Sequence, residues 1–290
     1  MGQADDFCNG RALQAAIEAV RSQGLATADA RIIRSLHAIL VDFPQAGLVV
    51  RVEPEQASPK VLAATRAATV LAHRNVPSVR LAHPQPLRDG TLWITLWQRL
   101  EILPQPVTAS ELGGLLRKFH EQTRGSNLPE IPDYSPTRAI LEQLKPAHTD
   151  LHKRLKQLDS AWNCYLAETR TNHVLVHGDA SLGNAAWTTQ GLVLLDLENV
   201  GRGPAFCDFV PSIIAERHYG HSSDWLRELY TGYGATPDHD DGLEVLCELH
   251  KLDVGSWADH FSESSPELAR EARIRLATLR GETSEPWTLL

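Results

Sequence analysis

Two carboxylates and a carboxamide follow short apolar runs of the chain, at a spacing that could support metal-dependent chemistry. Asp179 and Asn184 come after the apolar run 174–176, and Asp196 ends a second apolar run. Strands that end in such side chains can hold them rigidly around a metal ion. Carboxylate and amide oxygens suit Mg²⁺, which shares its coordination with substrate phosphates. The pattern therefore favours phosphoryl transfer, which needs an Asp to orient the attacking hydroxyl and oxygen ligands for the metal.

The elements that must position these residues can be read from periodicity and turn signals. Helices are predicted over 9–23, 60–74, 109–120, 137–144, 148–167, 205–217, 225–233, 238–261 and 268–279. Strands are predicted over 31–36, 38–43, 48–52, 79–82, 92–97, 174–176, 185–188 and 192–195. Thr108 and Glu111 have the spacing of a helix-capping box.

The bulk composition is that of an ordinary globular protein. The chain has 290 residues, of which 42% are apolar and 22% charged, so it can bury a sizeable core. Its net charge of -8 and the lack of a Lys/Arg block argue against a nucleic-acid partner and weakly favour a cationic ligand.

The cysteines and the amino terminus give an expected compartment. Four cysteines lie far apart, with no Cys-x-x-Cys pair, and indicate neither a zinc site nor a disulfide framework. The sequence has no basic-then-apolar leader and no apolar run of membrane-spanning length. We therefore expect a cytoplasmic protein without a membrane partner.

The motif HGD-x4-N, then LLD-x-E, a Gly-Pro pair and an Asp, resembles the aminoglycoside phosphotransferase family, small-molecule kinases related to protein kinases. The catalytic-loop Asp and Asn of kinases are likewise five residues apart. The resemblance implies an α+β, bilobal, protein-kinase-like fold. The small β-rich N-terminal lobe would bind nucleotide over residues 1–100. The larger, mainly helical C-terminal lobe, 101–290, would carry catalysis and acceptor binding.

The same resemblance assigns roles to the residues of the motif. It makes Asp179 the catalytic base and makes Asn184 and Asp196 the ligands of Mg²⁺. His177 and Asp208 would support the loop structurally. The alternative is a solvated hairpin that is merely rich in Asp and Asn, and it would need several ordered elements to agree by chance.

In the first lobe, the resemblance places Arg51 where the family has a cation for the nucleotide phosphates. A guanidinium can bind phosphate bidentately, although an Arg on the solvent face of the predicted strand 48–52 is the alternative. The predicted helix 60–74 lacks the Glu that the family pairs with this cation. Either Glu53 or Glu55 replaces it, or Arg51 is held in another way.

Further nucleotide contacts are implied at two places. Ser35 begins the loop 35–37, where the family folds over the phosphates, but this loop has no glycine for close backbone approach. Gln98, Arg99 and Leu100 match the hinge between the lobes, where backbone groups would bind the base of ATP or GTP.

The acceptor site is implied less directly. Glu198 matches a family position near metal and substrate. Glu248, Asp253 and Trp257 lie on the predicted helix 238–261, where charge and cation–π contacts could bind a cationic acceptor. The alternative is a solvated acidic face.

These observations leave three hypotheses. The first is a phosphotransferase that moves the γ-phosphoryl group of ATP or GTP to a hydroxyl of a small molecule, such as an aminoglycoside-type antibiotic. The second is a metabolic kinase of the same fold, acting on a sugar, amino alcohol or amino acid. The third is a non-catalytic nucleotide-binding protein, which the glycine-free loop and the missing Glu would favour.

Overall fold

The computed structural model of the protein describes residues 8–35, 38–124, 131–236 and 241–288. The chain divides into two compact units. The first unit is Met1–Pro106 with Asn184–Val200, and the second is Val107–Gly183 with Gly201–Leu290. The sequence-based division placed all of residues 101–290 in one lobe, whereas the segment 184–200 packs with the amino-terminal part of the chain.

The described residues form the following helices and strands. The first half contains α1 (Asn9–Ser22), β1 (Arg31–Ser35), β2 (Ile39–Phe43), β3 (Leu48–Pro54), α2 (Ser58–His73), β4 (Leu87–Asp89), β5 (Leu92–Gln98), α3 (Ala109–Thr123) and α4 (Thr137–Gln143). The second half contains α5 (Thr149–Thr169), β6 (Val174–Val176), β7 (Ala185–Thr188), β8 (Gly191–Leu194), β9 (Gly201–Gly203), α6 (Val210–Tyr219), α7 (Ser223–Tyr233), α8 (Asp241–His260) and α9 (Pro266–Leu279).

The core of the first unit lies between α1 and an antiparallel sheet with strand order β1-β2-β3-β5-β4. Alternate residues of β3 are buried, as expected for a strand with one face on a core. Small residues of α1, including Ala12 and Ala16, pack in the same cluster as Val41 and Val50 of the sheet. Each buried Val contributes about 1.5–3 kcal/mol of hydrophobic stabilisation.

The β7-β8 hairpin joins the first unit through backbone hydrogen bonds. Leu194 N donates to Pro77 O at 3.0 Å, and Leu194 O accepts from Val79 N at 3.0 Å. At the other strand, Leu103 N donates to Trp187 O at 2.8 Å. These bonds explain why a segment late in the sequence belongs to the amino-terminal unit.

The second unit is mainly helical, with β6 and β9 paired antiparallel. The predicted capping box at the start of α3 is confirmed: Glu111 N donates to Thr108 Oγ1 at 3.2 Å, and Thr108 N donates to Glu111 Oε2 at 2.9 Å. The predicted α+β, bilobal, protein-kinase-like fold class is confirmed as well.

Two sequence-based elements differ from the structure. The predicted strand 79–82 forms only an isolated bridge, between Leu81 and Trp97, because its backbone bonds to two different strands: Val79 N donates to Leu194 O, and Ala82 N donates to Leu96 O. The predicted helix 205–217 begins as a 3₁₀ turn, and α6 starts only at Val210. Pro211 explains this start, because its ring would clash with a carbonyl four residues earlier inside an α-helix.

Some predicted features lie outside the described residues. These are part of the loop at 35–37 and the predicted start of the helix at 238. Within the described ranges, no helix combines the length and apolar character needed to cross a membrane.

Helices α3 and α7 approach each other through glycine. A Cβ added to Gly113 of α3 would overlap Leu229 O, and one added to Gly232 of α7 would overlap Ser110 O. The two backbones are therefore in contact, and only the lack of a side chain at both positions permits this separation. Gly114, the next residue of α3, has no such restriction, since its nearest neighbour would lie 3.8 Å away.

We predict that Gly232→Ala lowers the free energy of unfolding by about 3 kcal/mol, because the added methyl forces α3 and α7 apart. Gly114→Ala is the matched control, and should leave stability unchanged or raise it by up to about 1 kcal/mol through helix propensity. Urea unfolding of both variants measures this difference. Equal stability of the two variants would contradict the described crossing.

Candidate functional site

The loop after β6 carries the HGD motif. β6 is buried throughout, and it delivers His177, Gly178 and Asp179 in direct succession. Gly178 has a φ of 79°, a left-handed conformation that favours glycine. Asp179 is half-buried, and its N–H lies 3.4 Å from His177 Nδ1. The loop therefore presents Asp179 directly after a buried strand.

The carboxylate of Asp208 accepts hydrogen bonds from the backbone of this loop. It is fully buried, and it accepts hydrogen bonds from His177 N at 2.9 Å and from Gly178 N at 2.8 Å. A third contact, 2.8 Å long, comes from Nε2 of the buried His120 on α3. A buried carboxylate is tolerated when donors surround it in this way. Asp208 thus lies where the sequence placed a supporting residue.

Tyr134 is a second support, and sequence reasoning missed it. Its hydroxyl donates to Gly178 O at 3.0 Å, and its own carbonyl accepts from Trp162 Nε1 at 2.8 Å. Burial, together with the nearby carboxylates of Asp253 and Asp179, raises the pKa of Tyr134 well above its ordinary value. No local pattern marks Tyr134, because it lies in a proline-rich connection between helices. His120 ends the helix predicted over 109–120, and its contact with Asp208 joins residues far apart in sequence.

Asn184 and Asp196 lie at the same open end of the β7-β8 hairpin. The register pairs Ala185 with Leu194, and Leu195 N donates to Asn184 O at 2.9 Å. Asp196 has a φ of 51°, which is costly for a residue other than glycine and is often found at functional sites.

The side chains at this hairpin end are of the types that bind divalent ions. Among the described atoms, the buried Oδ1 of Asp196 accepts no hydrogen bond. The described residues contain no group of three His, Cys, Asp or Glu side chains that could hold a metal. One carboxylate and one amide oxygen, completed by phosphates and water, are the kind of set that Mg²⁺ uses. Asn184 and Asp196 could therefore hold Mg²⁺ together with a nucleotide.

Arg51 on β3 is surrounded by carboxylates. Its Nε lies 3.1 Å from Glu53 Oε2, its Nη1 lies 3.6 Å from Asp196 Oδ1, and its Nη2 pairs with Glu198 Oε1. The carboxylates that contact Arg51 outnumber its single guanidinium. A divalent cation would offset that excess, which is a second reason why the site fits Mg²⁺.

The structure answers which acid accompanies Arg51. Of the two acids that the sequence offered, Glu53, two residues along the same strand, pairs with Arg51, as Glu198 also does, and burial raises the pKa of Glu53 despite the opposing charge of Arg51. Glu55 instead pairs with Arg88 at 2.9 Å. Helix α2 contains no Glu that could pair with Arg51. The buried hydroxyl of its Thr65 donates to the helix's own backbone, at Val61 O.

The other predicted nucleotide contacts are spread over the first unit. Ser35 is exposed, and its hydroxyl donates to Asn9 Oδ1 at 2.7 Å. Gln98 ends β5, and Leu100 follows it half-buried. The Arg99 guanidinium donates to Asp42 Oδ1 at 2.7 Å, so its side chain supports the sheet. The structure does not bring Ser35 and Arg99 into contact with the Arg51 cluster.

The three predicted residues of α8 separate into two sets. Asp253 and Trp257 are four residues apart and share a helix face, and Asp253 lies within electrostatic range of Tyr134. Glu248 points elsewhere, since it pairs with Arg154 and Lys251. Glu248 is therefore neutralised by its neighbours, because each of these cations offsets its charge.

This chain resembles known proteins in sequence and in fold. The model of the phosphotransferase enzyme family, APH, matches residues 35–249. No protein of curated function matches the chain significantly by sequence.

Solved structures share the fold. Amicoumacin kinase hAmiN, in complex with AMP-PNP, Ca²⁺ and Ami, is 12% identical, with a TM-score of 0.67 over 93% of this chain and 95% of that one. Aminoglycoside phosphotransferase APH(3'')-Id from Streptomyces rimosus is 17% identical, with a TM-score of 0.59 over 83% and 98%. A choline/ethanolamine kinase family protein from Mesorhizobium loti is 16% identical, with a TM-score of 0.59 over 94% of each chain.

At these identities the solved structures establish the fold alone. The family match covers most of the chain and includes the loop after β6, the β7-β8 hairpin and Arg51. The chain belongs to the phosphotransferase enzyme family.

Proposed function

We propose that the protein transfers the γ-phosphoryl group of ATP or GTP to a hydroxyl group of a small molecule. The observation that carries this proposal is the buried support of the HGD loop, in which Asp208 and Tyr134 hold the backbone that presents Asp179. A catalytic carboxylate must be held in one position to act on a substrate hydroxyl. Family membership supplies the reaction class.

Asp179 is the proposed catalytic base. Its carboxylate accepts the proton of the acceptor hydroxyl while that oxygen forms a bond to the γ-phosphorus. The bond from the γ-phosphorus to the bridging oxygen breaks, and the nucleoside diphosphate leaves. Because Asp179 follows a strand without an intervening flexible segment, little conformational entropy is lost when it engages the acceptor.

Asn184 and Asp196 are the proposed ligands of Mg²⁺, which when bound offsets the phosphate charge. Arg51 would bind phosphate oxygens through its guanidinium. Glu53 lies on the same strand as Arg51. Its buried carboxylate would keep the guanidinium oriented for phosphate. Glu198 pairs with the same guanidinium, so a bound phosphate would compete with this carboxylate for Arg51.

The acceptor is proposed to be cationic. Asp253 and Asp179 both act electrostatically on Tyr134 in the second unit, so two carboxylates lie in its neighbourhood. Trp257 shares the helix face of Asp253 and could add a cation–π contact. The solved relatives named above act on amicoumacin, aminoglycosides and choline or ethanolamine according to their names. An aminoglycoside or an amino alcohol, both of which carry protonated amines, would suit this acidic surface.

The experiment for the reaction combines binding with turnover. We expect Mg²⁺ with ATP or GTP to raise the melting temperature of the protein, because a ligand that binds only the native state stabilises it. A panel of aminoglycosides, amino alcohols, amino acids and neutral sugars then tests for acceptor-dependent release of nucleoside diphosphate. Binding without release for every acceptor would favour the non-catalytic hypothesis, and release with a neutral sugar alone would favour the metabolic kinase.

We predict that Asp179→Asn retains the nucleotide-induced thermal shift but loses about 10²–10⁴-fold in turnover, because the proton acceptor is gone while the side-chain shape is kept. Asp224→Asn is the control, since Asp224 is an exposed carboxylate of the same unit. Undiminished turnover of the Asp179 variant would remove this residue from its proposed role.

We predict that Asp253→Asn raises the KM for a cationic acceptor by about fivefold to tenfold, as expected for the loss of about 1 kcal/mol or more of charge interaction. Its KM for a neutral acceptor and for the nucleotide should not change. Glu248→Gln, on another face of the same helix, is the matched control. A KM that rises equally in both variants, or in neither, would contradict the acidic acceptor surface.

A further inference from the structure

The hydroxyl of Tyr233, at the end of α7, ends a partly buried chain of hydrogen bonds that leads to the HGD loop. Tyr233 Oη lies 2.9 Å from His120 Nδ1, and His120 Nε2 lies 2.8 Å from Asp208 Oδ2. Asp208 in turn accepts from the backbone N–H groups of His177 and Gly178. The chain Tyr233–His120–Asp208, here called the relay, lies behind the loop and has no proposed contact with substrate.

With His120 neutral, the hydrogen bonds of the relay run in one direction. Asp208 accepts at both oxygens, so His120 must donate to it from Nε2–H. A neutral imidazole then has an acceptor at Nδ1, and the Tyr233 hydroxyl fills that position as donor. Burial, followed by the charge of Asp208, raises the pKa of Tyr233 to about 12, so the hydroxyl keeps its proton at neutral pH. Every polar atom of the relay is thereby paired.

The helix crossing fixes the position of Tyr233. It is the residue after Gly232, whose contact with the backbone of α3 sets the separation of α3 and α7. The Tyr233 ring packs edge-on against Phe209 at 4.9 Å and against His120 at 5.5 Å. Phe209 is the neighbour of Asp208 in sequence. The hydroxyl therefore has little freedom to leave Nδ1 of His120.

We propose that Tyr233 is a positioning residue for the reaction. By donating to Nδ1, it holds the His120 ring in the tautomer and orientation that donates to Asp208. Asp208 then keeps its two oxygens aimed at the N–H groups of the loop that presents Asp179. This inference rests on the proposed function for its catalytic meaning, while the relay itself can be tested without any substrate.

The chain offers a matched control on the same helix. Tyr230 lies one turn earlier and also packs edge-on against Phe209, at 5.4 Å. Burial raises the pKa of Tyr230 to about 12, and the groups that act on it electrostatically are Cys247, Glu216 and Arg217 rather than Asp208. Tyr230→Phe therefore removes a comparable hydroxyl from α7 and leaves the relay intact.

The test is amide hydrogen exchange of the intact protein without nucleotide. In Tyr233→Phe, the amides of residues 177–178 should exchange about fivefold faster, as expected for the loss of one hydrogen bond of about 1 kcal/mol. In Tyr230→Phe, they should exchange as in the wild type. Amides of α9 report global unfolding in both variants. Loop exchange that is unchanged in Tyr233→Phe, or that rises equally in both variants or in step with α9, would overturn the inference.

A second measurement keeps the test local if Tyr233→Phe is unstable. The ¹⁵N resonance of His120 Nδ1 should shift in Tyr233→Phe and stay constant in Tyr230→Phe, and a resonance that moves in neither variant would also overturn the proposal. Once an acceptor is known, Tyr233→Phe should lower kcat about fivefold with the nucleotide KM unchanged. If no acceptor is ever phosphorylated, the proposed function fails while the exchange and ¹⁵N results still decide the relay.

Discussion

The structure around the HGD loop depends on one buried negative charge, the carboxylate of Asp208. A carboxylate removed from water is tolerated only if donors replace the lost hydration. Here the donors are two consecutive backbone N–H groups of the loop and the imidazole of His120. Because the carboxylate requires all three, it fixes the loop relative to α3. The Tyr134 hydroxyl adds one more hydrogen bond to this loop by donating to Gly178 O.

The first unit contains a separate cluster of charged side chains around Arg51. Arg51 contacts the carboxylates of Glu53, Asp196 and Glu198, and Asp196 has the left-handed φ of 51°. Such an acidic excess is unfavourable in isolation, and it makes the cluster receptive to a divalent cation accompanied by phosphates. Each unit is thus described by its own charged residues. The second holds Asp179 on a loop with buried support, and the first holds the cluster around Arg51.

Much of this could be predicted from the sequence, because local signals determine it. The capping box of α3, the strand pattern of β3 and the spacing of Asp179 to Asn184 and Asp196 each involve residues close in sequence. Pairings between distant residues were not predictable, and these include the Tyr134 hydroxyl on Gly178 and the hairpin joining the amino-terminal unit. Glu248 shows the converse, since its acidic character suggested a ligand contact but the cations of α5 and α8 surround it.

The central claim is that the Asp208 carboxylate holds the loop that presents Asp179, and the amide of Gly178 reports on it most directly. In protein labelled with ¹⁵N-glycine, Asp208→Asn should shift the Gly178 amide resonance and remove its protection from exchange, because an uncharged amide cannot accept from both loop N–H groups and from His120. The amide of Gly114 on α3 serves as the internal reference. A Gly178 amide with unchanged shift and protection in that variant would contradict the account.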